Sequence, residues 1–156
     1  ALAQIEGALD TLAGNGPLAE EVLAHVRTKI GDQGLVVDIF DTSDAPLFEA
    51  GSAEPTPMLR ALIGMVTGLT ALVTNDIEIT GHTDSTPMTA DGADGNWALS
   101  GERAESARRL MVEAGLDPLR ITEIAGRADT QPMLEDPADP RNRRVSITLI
   151  RSFPSR

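Results

Sequence analysis

Leu2, Ile5, Leu9 and Leu12 recur at helical spacing and predict an amphipathic helix over residues 1–13, stopped by Gly14-Asn15-Gly16-Pro17. A second helix is predicted after Pro17, where Leu18, Val22, Val26 and Ile30 stand at regular intervals before the glycine-bounded turn at 31–34. The pattern then changes: LVVDIF at 35–40 is a β-branched run and predicts a strand. Thr56 before Pro57 marks a helix start, because threonine can cap free amides and the N–H that proline lacks is not needed in a first turn. Met58, Leu59, Leu62, Ile63, Val66 and Leu69 then make one broad apolar face. Ile77 and Ile79 alternate with Glu78 and Thr80 as in a half-buried strand, and Gly81 lets the backbone turn. Ser100 can cap a helix over 101–114, with Ala104, Ala107, Leu110, Met111 and Ala114 on its apolar stripe. Gly115 falls where a left-handed cap is expected, with Pro118 just beyond. ITEIA at 121–125 predicts another strand, and after an Asp- and Pro-rich loop over 126–142 the alternation of Val145, Ile147 and Leu149 predicts the last one.

Two strand-helix-strand units and a closing strand predict an α+β domain, a two-layer sandwich with helices on one face of a small sheet. The N-terminal stripe has no place in that plan and reads as an appendage. Trp97, beside the proposed helix start, reads as a packing residue.

At 156 residues, 41% hydrophobic and 24% charged, the chain can bury one core and is short for two. A net charge of −11 opposes non-specific attraction to nucleic acid or anionic lipid, so no nucleic-acid partner is expected, while basic partners and small zwitterions stay open. The absence of cysteine excludes disulfides, thiol catalysis and thiolate metal sites. The longest apolar run, Leu62 to Val73, is interrupted by glycines and threonines and is too short to span a bilayer. No signal peptide is visible, and since the chain opens inside a predicted helix, the expectation is a fragment whose targeting segment has been removed.

His82, Asp84 and Ser85 invite a hydrolase reading, but side chains packed into consecutive positions do not normally converge on one substrate atom. His25 lies on a distant helix, which leaves His82 without a second imidazole for a metal site. No Asp/Glu pair stands in a context that singles it out for work on a sugar. Asp84 and Arg103 are a better pair. They stand at a strand end and a helix start, and an acceptor anion with a forked donor is what an amino-acid group, ammonium beside carboxylate, needs for recognition. On spacing alone, a plain structural ion pair or two separately solvated charges is the more ordinary reading of the same two residues. Asn142-Arg143-Arg144, before the last strand, adds local positive charge.

The segments GHTDSTP at 81–87, Asn96, Leu99-Ser100, Arg103-Ala104, Gly126, Pro132 and Asn142-Arg143-Arg144-Val145 together resemble the OmpA-like peptidoglycan-binding domain, and Phe48 with Gly51-Ser52-Ala53-Glu54 is similar to the family's segment after its first strand. The resemblance covers about residues 35–151. Within the family, Pro87, ADTQP at 128–132 and DPADPRNRR at 136–144 look most like its flagellar motor stator branch. The resemblance implies a βαβαββ core with a mixed four-stranded sheet at 34–152, preceded by an N-terminal helical linker segment at 1–33. It implies a non-catalytic, cofactor-free and metal-free periplasmic domain of an inner-membrane protein. That domain would hold a stator to the wall through the diaminopimelate stem peptide, as a homodimer and with a membrane subunit as partner. Asp84 would meet the ammonium and Arg103 the carboxylate, with Thr83, Asn96, Asn142 and Arg143 lining the site. The family's membrane helix and proton-carrying aspartate are absent from this sequence. The alternative keeps the chemistry in an outer-membrane anchor or a peptidoglycan-associated lipoprotein, and a cell-wall hydrolase is the reading from another class.

Overall fold

A computed structural model of the chain describes residues 2–16, 18–42, 44–86 and 93–151. Pro17 and Pro87, which entered the helix-stop and family readings, lie outside the described residues. In β2 (Gly34–Phe40) the apolar Leu35, Val37 and Ile39 point one way and Val36, Asp38 and Phe40 the other. The first set is fully buried, as are Ile77 and Ile79 of β3 (Ile77–His82) and Val145, Ile147 and Leu149 of β5 (Arg144–Ile150). These inner faces align because β5 pairs antiparallel with β2 on one side, Val37 opposite Ile147, and with β3 on the other, Ile79 opposite Ile147. β4 (Ile121–Gly126) adds a parallel strand outside β3.

Helix α3 (Pro57–Thr70) joins β2 to β3, and α4 (Ala93–Glu113) joins β3 to β4. The expected βαβαββ core is therefore present: one face of the sheet packs against Leu59, Leu62, Ile63 and Val66 of α3 and Ala104, Ala107 and Met111 of α4. Thr56 caps α3 as expected, its Oγ1 accepting the Leu59 amide at 3.3 Å, with Pro57 opening the helix. Gly115 ends α4 at φ +110°, and the Leu116 and Gly115 amides close back onto the Met111 and Val112 carbonyls at 3.0 Å each, a Schellman motif. Among the described residues no helix is long and apolar enough to cross a membrane.

Four expectations change. The helix predicted to reach Ile30 stops at His25: α2 covers Ala19–His25, and Val26–Ile30 forms β1, a fifth strand antiparallel to β2 at the sheet edge. A spacing of four satisfies a period of two as well, and the open edge of β2 lets Val26, Thr28 and Ile30 sit opposite Ile39, Val37 and Leu35. The N-terminal stripe is not an appendage, because Ile5 and Leu9 of α1 (Leu2–Asn15), with Val22 of α2, belong to the same apolar cluster as the sheet. Burying two such side chains is worth about 3–6 kcal/mol, enough to hold a helix that would be marginal alone. Helix α4 starts at Ala93, so Ser100 lies inside it and caps nothing. Trp97 is 47% exposed and not a core residue.

Candidate functional site

Three strands bring their ends together at one edge of the molecule, since Phe40 and His82 both lie opposite Arg144. Asp41 follows the first, Thr83 and Asp84 follow the second, and Arg143 precedes the third. The fourth side comes from α4, seated on β3 and β4 through glycines. A Cβ on Gly81 would lie 2.1 Å from the Ser100 carbonyl oxygen, and one on Gly126 would lie 2.4 Å from the Gly101 nitrogen. Ser100 Oγ accepts the Ala128 amide at 3.1 Å and donates to the Trp97 carbonyl at 2.9 Å, so this serine ties the helix to the segment after β4. The close seat carries Arg103, less than one turn further along α4, toward Asp84.

Asp84 and Arg103 are nevertheless not paired with each other. Asp84, 1% exposed, takes Arg143 Nη1 on Oδ2 at 2.8 Å and the Thr86 amide on Oδ1 at 2.9 Å. Arg143 turns its Nε to Asp41 Oδ2 at 2.7 Å, so one guanidinium bridges two carboxylates. Arg103, 5% exposed, donates from Nε to the Ser52 carbonyl at 2.9 Å and lies over the Phe48 ring, 4.8 Å from its centroid. Among the described residues it makes no salt bridge, and none of them accepts a hydrogen bond from its terminal nitrogens. Burial pulls its guanidinium down to about 10; Asp41 opposes that pull, Arg143 adds to it and Asp84 opposes it, so the group stays charged at neutral pH. Burial likewise pushes the Asp41 carboxyl above its ordinary range, against the bonds from Arg143 and the Leu47 amide.

Two aspartates and two arginines thus share a neutral cluster in an acidic chain, and only Arg103 keeps its planar fork unspent. A zwitterion adds no net charge to such a cluster. A bidentate carboxylate is the natural mate for the fork, and an ammonium can take the lone pairs that Asp84 still has available.

The remaining expected residues divide. Thr83 is buried beside Asp84; its amide donates to the Ala128 carbonyl at 2.8 Å, and its Oγ1 has no partner among the described residues. Asn96 is buried on α4 and donates from Nδ2 to the Thr86 carbonyl at 3.2 Å, bracing the loop that holds Asp84. Asn142, expected on the site lining, has its side-chain bonds turned into the loop before Arg143. It is fully buried, with Oδ1 accepting the Met133 and Leu134 amides at 2.7 and 2.8 Å and Nδ2 donating to the Asp136 carbonyl at 2.8 Å. Its side chain shapes the loop before Arg143. Asn142→Ala should therefore cost about 1–3 kcal/mol and speed hydrogen exchange at the Met133 and Leu134 amides. Unchanged melting and exchange would mean the loop is held otherwise.

His82 points to the opposite, polar face of the sheet, where it lines a cavity of about 490 Å³ with Asp38, Arg144 and Ser146. Burial, with Arg144 and Arg127 nearby, lowers its pKa to about 3, and its Nδ1 has no partner among the described residues. Ser85 is exposed, and among the described residues no hydrogen bond joins it to His82 or Asp84, so a catalytic triad has no geometric support. Among the described residues no three His, Asp or Glu side chains gather as a metal site requires.

Sequence reasoning missed Asp41 and the roles of Phe48 and Ser52. An acid just after a strand carries no distinctive signal. Phe48 and Ser52 lay in a segment noted for its resemblance, but their contact with Arg103, 51 residues from Ser52, follows only from the fold.

Motility protein B of Escherichia coli (strain K12) is 32% identical over 152 residues, covering 96% of this chain and 49% of that protein. The chain thus spans about half the length of this curated relative. The cell wall anchor of the T6SS from Pseudomonas aeruginosa is 30% identical with a TM-score of 0.70, covering 86% of this chain and 94% of that one. A MotB-like protein from Desulfovibrio vulgaris, at 23% identity and a TM-score of 0.77 over 97% of this chain and 94% of that one, shares the fold. The OmpA family model matches residues 47–146, a stretch that holds Asp84, Arg103 and Arg143 together with Phe48 and Ser52, and the chain belongs to the OmpA family.

Proposed function

We propose that this chain is a non-catalytic peptidoglycan-binding domain of a MotB-like stator subunit, holding a flagellar motor to the cell wall. The ligand group is the side-chain end of diaminopimelate in the stem peptide, with its ammonium on Asp84 and its carboxylate on Arg103. The observation that carries this reading is the unspent guanidinium: Arg103 is buried and held by Ser52 and Phe48, close to two aspartates, yet engaged by neither. A purely structural arginine in that position would be expected to close on Asp84, which Arg143 holds instead. Thr83, Asn96 and Arg143 support the two contacts, and Asn142 shapes the loop behind them.

In this reading residues 1–33 are the linker from a membrane part, docked on a wall-binding unit at 34–152. The domain lies in the periplasm as part of an inner-membrane protein, works as a homodimer, and meets a MotA-like membrane subunit through sequence outside this chain. Likeness to the Escherichia coli motility protein over nearly the whole chain favours the flagellar reading. Comparable identity to a secretion-system wall anchor keeps a second one, the same chemistry serving another envelope machine. Loss of swimming with intact secretion in a deletion strain separates the two.

Incubation with purified sacculi tests the binding itself. The protein should pellet with diaminopimelate-type sacculi, release no soluble muropeptide, and pellet poorly with lysine-type sacculi, because lysine lacks the second carboxylate. Equal pelleting with both wall types counts against the site, and release of muropeptides would make the protein a hydrolase.

A further inference from the structure

Asp41 takes no part in the ligand contacts just described, yet both halves of the site are fastened to it. It is 5% exposed and follows β2 directly. Its Oδ2 accepts Arg143 Nε at 2.7 Å, and the same guanidinium reaches Asp84 through Nη1 at 2.8 Å. Its Oδ1 accepts the Leu47 amide at 2.7 Å. Leu47 opens a tight segment closed by the Phe48–Pro55 bridge and by the bond from the Thr56 amide to the Leu47 carbonyl at 2.9 Å. That segment supplies the Phe48 ring and the Ser52 carbonyl to Arg103, and its Ala53 carbonyl accepts Ser106 Oγ of α4 at 2.6 Å. One carboxylate therefore joins the arm that ends in Asp84 to the arm that holds Arg103.

We propose that Asp41 is a positioning residue of the wall-binding site, setting the separation of Asp84 and Arg103 by clamping Arg143 with one oxygen and the Leu47–Ser52 segment with the other. This rests on the reading of Asp84 and Arg103 as the ligand contacts. An alternative in which Asp41 only stabilises the fold predicts a different response to acid. The charged groups facing Asp41 are Arg143 ahead of β5, Arg103 on α4 and, across Arg143, Asp84, while His25 of α2 bonds the adjoining Phe40 carbonyl. Burial outweighs these partners and raises the folded pKa of Asp41 above its ordinary 3.8. Its contribution to stability is thus fully present below that ordinary value and is lost as pH rises through the raised one. Binding runs the other way, because protonation of Asp41 releases Arg143. Across one titration, stability and affinity move in opposite directions.

The test uses the full chain and Asp41→Asn, which keeps an oxygen for the Leu47 amide and removes the charge from Arg143. The probe is a muropeptide carrying meso-diaminopimelate, measured with the melting temperature from neutral pH down to roughly pH 4. At neutral pH the variant should bind roughly tenfold more weakly. As pH falls, wild type should lose its affinity advantage while gaining in relative melting temperature. Without ligand, the Nε proton of Arg143 should lose protection in the variant, measured against free arginine at the same pH, while that of Arg103, whose arm keeps its oxygen for the Leu47 amide, should not. Should Asp41→Asn not fold, the same measurement in wild type carries the test, and Arg143 must lose protection as Asp41 protonates. Unchanged protection at Arg143, or an affinity ratio that does not move with pH, overturns the proposal. If wild type binds no muropeptide, the wall-binding reading falls, while loss of protection at Arg143 still establishes Asp41 as its clamp.

Discussion

Gly81→Ala is expected to lower stability by about 3 kcal/mol, a fall of about 10 °C in melting temperature for a chain of this size. The new methyl carbon would lie 2.1 Å from the Ser100 carbonyl oxygen and 3.0 Å from its carbon, both in the backbone of α4. No side-chain rotation relieves such a contact, so the helix has to rise from the sheet. Arg103 rides on that helix, and its Ser52 bond and Phe48 contact should loosen with it. The variant should therefore lose muropeptide affinity as well as stability, although residue 81 touches no ligand. Thermal melting and titration of the same samples check both parts. A melting temperature within about 2 °C of wild type would mean that the helix can yield without strain.

The largest effect on binding is expected at Arg103. A charge-assisted hydrogen bond is worth about 1.5–3 kcal/mol, so loss of the fork should weaken binding to a diaminopimelate muropeptide roughly tenfold to a hundredfold. Arg103→Ala is an impure probe, because it also strips the Phe48 ring and the Ser52 carbonyl of their partner. Arg103→Lys is sharper. It keeps a positive charge in the same surroundings, but an ammonium cannot hold the Ser52 carbonyl and still offer two parallel donors to a carboxylate. Its affinity, read by calorimetry, should lie near that of the alanine variant. Affinity within about twofold of wild type would show that only the charge matters and that the carboxylate is not gripped by the planar fork.

Long-period features of this fold were legible in the chain. The Leu35-Val37-Ile39 and Val145-Ile147-Leu149 alternations, the Thr56-Pro57 start and the Gly115 stop all follow from local chemistry, and the α+β plan follows from their order. Local chemistry also misled where two periods coincide. Val26 and Ile30 fit a helix and a strand equally, and the deciding partner, the open edge of β2, comes later in the chain. The start of α4 was hidden by a run of glycine and aspartate that reads as a turn. At the candidate site, Asp84 and Arg103 were legible as two opposite charges, but Arg103 lies well inside α4 and not at the helix start expected of it, and the partners of both were not legible. Arg143 is 59 residues from Asp84 and 102 from Asp41, and pairing at that range is set by strand order, which residue spacing does not encode.

The direction in which the chain is strung also bears on how it carries force. Leu2 lines a cavity with Ile30 and Arg151, at the end of the sheet away from Asp41, Asp84 and Arg143, and α1 runs back along β1 from there. A pull between Leu2 and a ligand held at the Asp84 end acts parallel to the strands. The ladders joining β5 to β2 through seven residue pairs and to β3 through six are then loaded in shear, and their bonds share the tension. Helix α1, which lies along β1, is loaded lengthwise by the same pull. The same ladder bonds pulled across the strands would open one after another, so the fold resists tension along the strands better than tension across them.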